Sequence, residues 1–318
     1  MSDPGRPVLD TNFLGRWWFA PAPPERLAAL RIAIGTFAVI WMIARLPEVL
    51  AVTRLPATVF EPVGVVRVVH VLGAPLPAIA VVAVALATVG LLIAFTAGLG
   101  YRVTAPLAAI GLLWTLSYRN SWGMVFHTEN LLVLHVIALA AAPAADAWTL
   151  RGGAGRGAPA AGYGWAIKLL AAITCAAYLL AGIAKLRLAG MAWIDGDQLR
   201  NQIAVDNLRK ALFGGFVAPL ARFVVSHPDG LVALSVLTLV IELGAPLALL
   251  GGRVARLWAW GAWGFHVGVV LAMNVWFPYP LAGIAFLPLA EAERPVGWLV
   301  GWPVRWWRSR GMRAAPGR

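Results

Sequence analysis

A single cysteine, Cys175, stands in a chain of 318 residues, so no intramolecular disulfide can form and no thiol cluster can hold a metal. Charge is scarce as well. Only 13% of residues are Asp, Glu, Lys or Arg, about half the share of an ordinary soluble domain, which excludes a surface that faces water all round. No His-x-x-x-His pair and no convincing carboxylate set occurs, so no metal centre is expected. The glycine-rich stretch Arg151–Pro159 lacks a following Lys-Ser/Thr and a preceding strand pattern. It reads as a flexible linker rather than a phosphate-cradling loop. No charged-then-apolar leader with a cleavage site precedes the first apolar run, so a removable signal peptide is not expected.

What the chain has in abundance is apolar sequence, 60% of its residues, in runs longer than a soluble core helix needs. Windows of roughly 20 residues predict spans near Leu27–Leu46, Leu76–Gly98, Val103–Tyr118, Asn130–Ala145, Tyr163–Lys185, Leu231–Gly251, Val254–Asn274 and Trp276–Ala290. The eighth is short and broken by proline. The expected fold is all-α: a polytopic transmembrane bundle of about eight helices at residues 27–290, between an N-terminal segment at 1–26 and a basic tail at 291–318.

The net charge of +12 would suggest nucleic acid in a soluble protein. Here the cations lie between spans and in the tail, so topology explains them and no nucleic-acid partner is expected. Placing the N-terminus inside gives fourteen Lys/Arg to the cytoplasmic segments and ten to the other side, six of those in one long connection. The expectation is a multi-pass protein of the cell membrane with both termini cytoplasmic. The tail, Gly301-Trp-Pro-Val-Arg-Trp-Trp-Arg, suits an interfacial anchor in the bilayer. Two connections on the outer side are long: Arg45–Pro75, containing Val63–Leu72, and Met191–Pro228, in which Leu208, Leu212, Phe213, Phe216 and Leu220 recur at roughly helical spacing. Both read as interfacial helices, which can roof a cavity, serve only packing, or meet a protein partner at the outer face.

Against this background Lys185 stands out, closing the apolar run Tyr178-Leu-Leu-Ala-Gly-Ile-Ala-Lys185. A lysine that helix geometry holds below a membrane surface loses hydration, which disfavours its ammonium form and makes it a usable base; a resting neutral amine is expected. The alternative is snorkelling, with the ammonium lifted into the headgroups. His127 begins the fourth span, on one stripe with Asn130 and Leu134. His266 lies inside the seventh, where Gly264 and Gly268 would let another helix approach closely. In this topology His127, Lys185 and His266 fall on one side and can line one cavity holding a base and donors for an oxyanion. The alternative is three separate structural residues. Glu242 is intramembrane, needs a partner, and is expected on the cytoplasmic half. Arg31 is expected to snorkel, and His135 has no assigned role.

The segment Tyr178-x-x-Ala181-Gly182-x-x-Lys185-Leu186, followed by Trp193-x-x-Gly196, resembles the HTTM superfamily, the membrane domain of vitamin K-dependent gamma-carboxylases and their bacterial relatives. Phe126-His127 with Asn130, and Phe265-His266 with Asn274, are similar to the segments that supply that family's active-site histidines. The resemblance covers roughly Leu27 to Leu289. It implies a cavity for a hydroquinone, reduced vitamin K or menaquinol, with Lys185 as base and His127 and His266 stabilising the oxyanion. Asn130, Trp193 and Asn274 then belong to the quinone-binding wall, and oxygenation of the quinol would create a strong base near the outer face. Animal carboxylases carry a long lumenal region that binds the substrate propeptide, whereas this chain ends at Arg318. Peptide carboxylation by this chain alone is therefore not expected. The competing expectation is a non-catalytic membrane scaffold or maturation partner. A transporter is disfavoured, since neither an inverted repeat nor paired broken helices are visible.

Overall fold

A computed structural model describes residues 13–69, 74–123, 125, 127–150 and 158–299, and among them the chain is all helical apart from one isolated bridge between Ala22 and Ala160. The helices are α1 (Phe13–Trp18), α2 (Pro24–Val52), α3 (Gly64–Val69), α4 (Ala78–Ala97), α5 (Tyr101–Asn120), α6 (Asn130–Ala140), α7 (Ala161–Ala189), α8 (Asp197–Leu212), α9 (Ala221–Val225), α10 (Pro228–Leu243), α11 (Gly252–Met273) and α12 (Pro278–Leu281). Among the described residues three helical segments are long and apolar enough to cross a membrane: α2, α4, and α7 with the 3₁₀ turn that carries it to Trp193.

The expected eight continuous spans are not all present. The fourth shrinks to α6, whose 11 residues reach only about 16 Å at the rise of an α-helix. The sixth stops at Leu243 and gives way to a 3₁₀ segment, Ala245–Leu250, because Pro246 cannot continue the hydrogen-bond ladder. The eighth is α12 followed by the 3₁₀ segment Ile284–Leu289, interrupted at Pro278, Pro280 and Pro288. The seventh exists as α11. Of the long connections, the first holds the end of α2, a 3₁₀ turn at Ala57–Val59 and α3 before residues 70–73, which lie outside the described residues, as do most of the Arg151–Pro159 linker and the Trp/Arg tail.

Two compact units are formed, one from residues up to 125, 136–169 and 292 onward, the other from 126–135 and 170–291. In the first, α4 packs between α2 and α5. Gly35 and Gly111 give the close approach, since a Cβ at either would stand 2.3 Å from Thr96 Oγ1 or 2.5 Å from Thr88 Oγ1. Arg31 does not snorkel: it is wholly buried. Its guanidinium donates to the carbonyls of Thr96, Ala144, Ala147 and Trp148, the last at 2.5 Å. A buried cation is thus solvated by backbone oxygens from the end of α4 and from the turn after α6. Burial pushes the Glu293 carboxyl up, but the two-pronged bond from Arg26 outweighs it and holds the group below the usual carboxylate range.

In the second unit one core gathers Cys175 and Tyr178 of α7, Ile241 of α10, Ala262 of α11 and Phe286. A second joins α8, α9 and α10 through Ile203, Ala221 and Leu231. Asn207 ties α8 to the end of α11 by donating to Ala272 O and accepting from Ala218 N. Lys210 pairs with Asp206 and donates to the carbonyls of Met273 and Asn274, capping the negative end of α11. The apolar residues expected at helical spacing on this connection are all exposed, but only Leu208 and Leu212 lie on a helix, α8; Phe213, Phe216 and Leu220 fall in the turn between α8 and α9.

Candidate functional site

α7 presents Ala177, Tyr178, Ala181 and Lys185 along one stripe by their three- and four-residue offsets, and all four line a cavity of about 370 Å³. α10 adds Thr238 and Glu242, four apart, and α11 adds Phe265, His266, Val269 and Met273. Two glycines, Gly182 in α7 and Gly196 at the start of α8, set this stretch of chain against α10. A Cβ on Gly182 would lie 3.0 Å from Glu242 Cβ and 2.9 Å from Leu243 Cδ2, and one on Gly196, whose φ is +87°, 2.9 Å from Val232 N. The helices therefore run antiparallel, with Lys185 level with Glu242. Lys185 Nζ donates to Glu242 Oε1 at 2.5 Å, with the lysine side chain 22% and the glutamate side chain 3% exposed.

That contact corrects three expectations. Lys185 does not end its helix, because α7 continues to Ala189. Its Nζ is paired with the Glu242 carboxyl group rather than standing alone in an apolar pocket. Glu242 lies at the depth of Lys185 rather than on the opposite half, since the antiparallel packing brings the end of α10 beside the Gly182 turn.

His266 is held from the side. Tyr178 Oη and His266 Nε2 are 2.6 Å apart, and Phe277 packs 5.0 Å from the imidazole. Trp193 forms another wall, its ring 5.3 Å from Lys185 Nζ, close enough for a cation–π contact. Among the described residues, three buried polar atoms of the lining side chains have no hydrogen-bond partner: Glu242 Oε2, His266 Nδ1 and Trp193 Nε1. Orphans of this kind are uncommon in folded proteins, and each calls for an explanation such as a water, an ion or a catalytic role.

Lys185, His266 and Trp193 thus share one cavity. His127 falls in a 3₁₀ turn, His127–Glu129, and its side chain lies outside the described residues, as does Phe126. The stripe expected on α6 faces the wrong way: Asn130 and Leu134 are exposed, whereas Thr128 and Leu131 line the cavity. The inward histidine of α6 is His135, which meets Tyr279 Oη at 2.7 Å, Thr174 Oγ1 at 3.2 Å and Leu170 O at 3.1 Å. It is wholly buried and outside the cavity lining, a node of the core. Asn274 is a left-handed cap of α11, with its side chain bonded to Phe216 O and Trp276 Nε1, and it does not line the cavity either. Tyr178 and Thr238 are among the lining groups to which sequence reasoning gave no role. The signal was present in each case, since Tyr178 stands two helical turns before Lys185 and Thr238 one turn before Glu242.

The arrangement offers a cation, a carboxylate and an imidazole on the wall of an otherwise apolar cavity, which can fix a polar head and exchange a proton with it. The close approach at Gly182 is decisive for it. Gly264 and Gly268, expected to admit a neighbouring helix, have nothing within 4 Å of a built Cβ. Gly182→Leu is accordingly expected to cost about 3 kcal/mol by overpacking, and Gly264→Leu less than about 0.5 kcal/mol. Unfolding titrations in mixed micelles measure both, and equal costs would show that the packing at Gly182 does not set the site. No family model matches the chain, and no curated protein and no solved structure matches it.

Proposed function

We propose that this chain binds a quinol, such as reduced vitamin K or menaquinol, or a similar isoprenoid phenol in the α7–α10–α11 cavity, with Lys185 taking the proton of the ligand hydroxyl. The observation that carries this reading is the Lys185–Glu242 pair on the wall of an apolar cavity. Its volume, about 370 Å³, falls within the range of small-molecule sites. Phe265, Val269 and Met273 suit a fused ring and the first units of a tail, and Trp193 offers a face for stacking. His266, fixed by Tyr178, supplies a second polar group for the head. The resemblance of the Lys185 and His266 segments to the HTTM superfamily accords with this assignment. When bound, a quinol would supply the redox and oxygen chemistry; the chain supplies the dry pocket, the orientation and the proton acceptor.

The cation distribution supports both termini in the cytoplasm and the α7–α10 connection outside. An eight-segment count requires the short fourth segment and the broken sixth and eighth to cross sheltered by protein from the lipid. A second reading, a non-catalytic scaffold, is favoured by the exposed Leu212, Phe213, Phe216 and Phe223 beside Arg209 and Arg222, which suit a lipid surface or a partner protein. Lipid extraction and mass spectrometry of the purified full chain separate the two. A stoichiometric quinone in the wild type is the expected result, and Lys185→Arg should fail to ionise a bound phenol because a guanidinium stays protonated. Extracts without quinone would leave the scaffold.

A further inference from the structure

Lys185 meets a difficulty as a base. An ammonium has no lone pair, and in the Lys185–Glu242 ion pair, 2.5 Å from nitrogen to oxygen, the lysine is the ammonium partner. It can accept a proton only after giving one up. Among the described residues Lys185 Nζ has one hydrogen-bond partner, Glu242 Oε1. The other titratable groups on the cavity wall, Tyr178 and His266, are bonded to each other. Glu242 is 2% exposed, and its second oxygen has no partner.

We propose that Glu242 is the terminal proton acceptor of this site, working through Lys185, an inference that rests on the reading of the cavity as a hydroxyl-binding site. Lys185 passes one N–H proton along its hydrogen bond to Glu242 Oε1, leaving a neutral amine beside a carboxylic acid. The amine lone pair then takes the hydroxyl proton of the bound phenol. The O–H bond is broken, the electron pair stays on the phenol oxygen, and Lys185 is an ammonium again beside a neutral Glu242. One proton has moved from ligand to glutamate, and no oxidant is involved. The net charge of the site is zero before, during and after, which matters where an unbalanced charge would be heavily penalised. The more exposed Lys185 faces the ligand, and the buried Glu242 stores the proton away from it.

A purely electrostatic counter-ion makes the opposite prediction. If Glu242 merely held Lys185 charged, Glu242→Gln would release a neutral amine and strengthen the base. If it is the acceptor, the same substitution strands the lysine proton and ionisation of the ligand fails.

The test uses 2-naphthol, a bicyclic phenol whose ionisation is read from its absorption spectrum, added to the full chain in lipid nanodiscs. Infrared difference spectra on the wild type, with glutamate carbon labelled isotopically, are expected to show a new protonated-glutamate C=O band as naphtholate forms. Glu242→Gln should lose that band and lower the naphtholate fraction at least about tenfold, the change carried by one unit of proton affinity. Naphtholate forming in the wild type without a protonated-glutamate band would overturn the role of Glu242 and leave the hydroxyl-binding function standing, as would full ionisation in Glu242→Gln. Absence of naphtholate in the wild type would overturn both. The wild-type spectra decide the matter even should the variant fail to fold.

Discussion

Lys185→Met is expected to lower the stability of the folded chain by about 3 kcal/mol, because it leaves the Glu242 carboxylate buried with no cation beside it. Glu242→Leu should cost less, since the partly exposed lysine can swing its ammonium toward the cavity on a flexible stem. The double substitution, Lys185→Met with Glu242→Leu, should recover most of the loss: an apolar pair of similar volume needs neither desolvation nor a partner. A double-mutant cycle by unfolding in mixed micelles reads the coupling directly. Additive single costs would mean that the two side chains are not a pair in the folded protein. A folded double variant that no longer ionises a bound phenol would separate the chemical role of the pair from its structural one.

The second large effect lies in the other unit. Arg31→Met should destabilise the chain by about 4 kcal/mol or more, because the carbonyls of Thr96, Ala144, Ala147 and Trp148 lose their donor together, and each buried acceptor left unpaired costs about 1–3 kcal/mol. Relief from burying a cation offsets part of that sum. Arg31→Lys should recover only a fraction, since an ammonium lacks the planar fork that reaches several carbonyls at once. Hydrogen exchange gives a local readout: the Leu150 amide, bonded to Ala97 O, should exchange faster in Arg31→Met. A change below about 1 kcal/mol would show that water replaces the guanidinium without loss.

The contrast between these two cations shows how far a linear chain can be read. Both were visible as charges in apolar runs, and both had snorkelling as the simplest account. Neither snorkels, because each is met by partners that no sequence spacing reveals. Carbonyls 65 to 117 residues away meet Arg31, and a carboxylate 57 residues away meets Lys185.

The sequence by itself determined what depends on local composition and periodicity. Apolar windows of sufficient length fixed the all-helical character and located α2, α4 and α7, and the scarcity of charge excluded a soluble surface. Three- and four-residue offsets placed Tyr178, Ala181 and Lys185 on one face of α7. The tertiary structure decided what depends on which faces meet. It turned α6 so that Asn130 faces out and His135 faces in, which a short helix with apolar residues all round leaves open. It let Pro246, Pro278, Pro280 and Pro288 break two expected spans where neighbouring protein can satisfy the freed backbone groups. Above all it set the Gly182 face of α7 against Glu242, bringing two distant, costly charges together, because only close packing in an apolar interior makes each the other's best available partner.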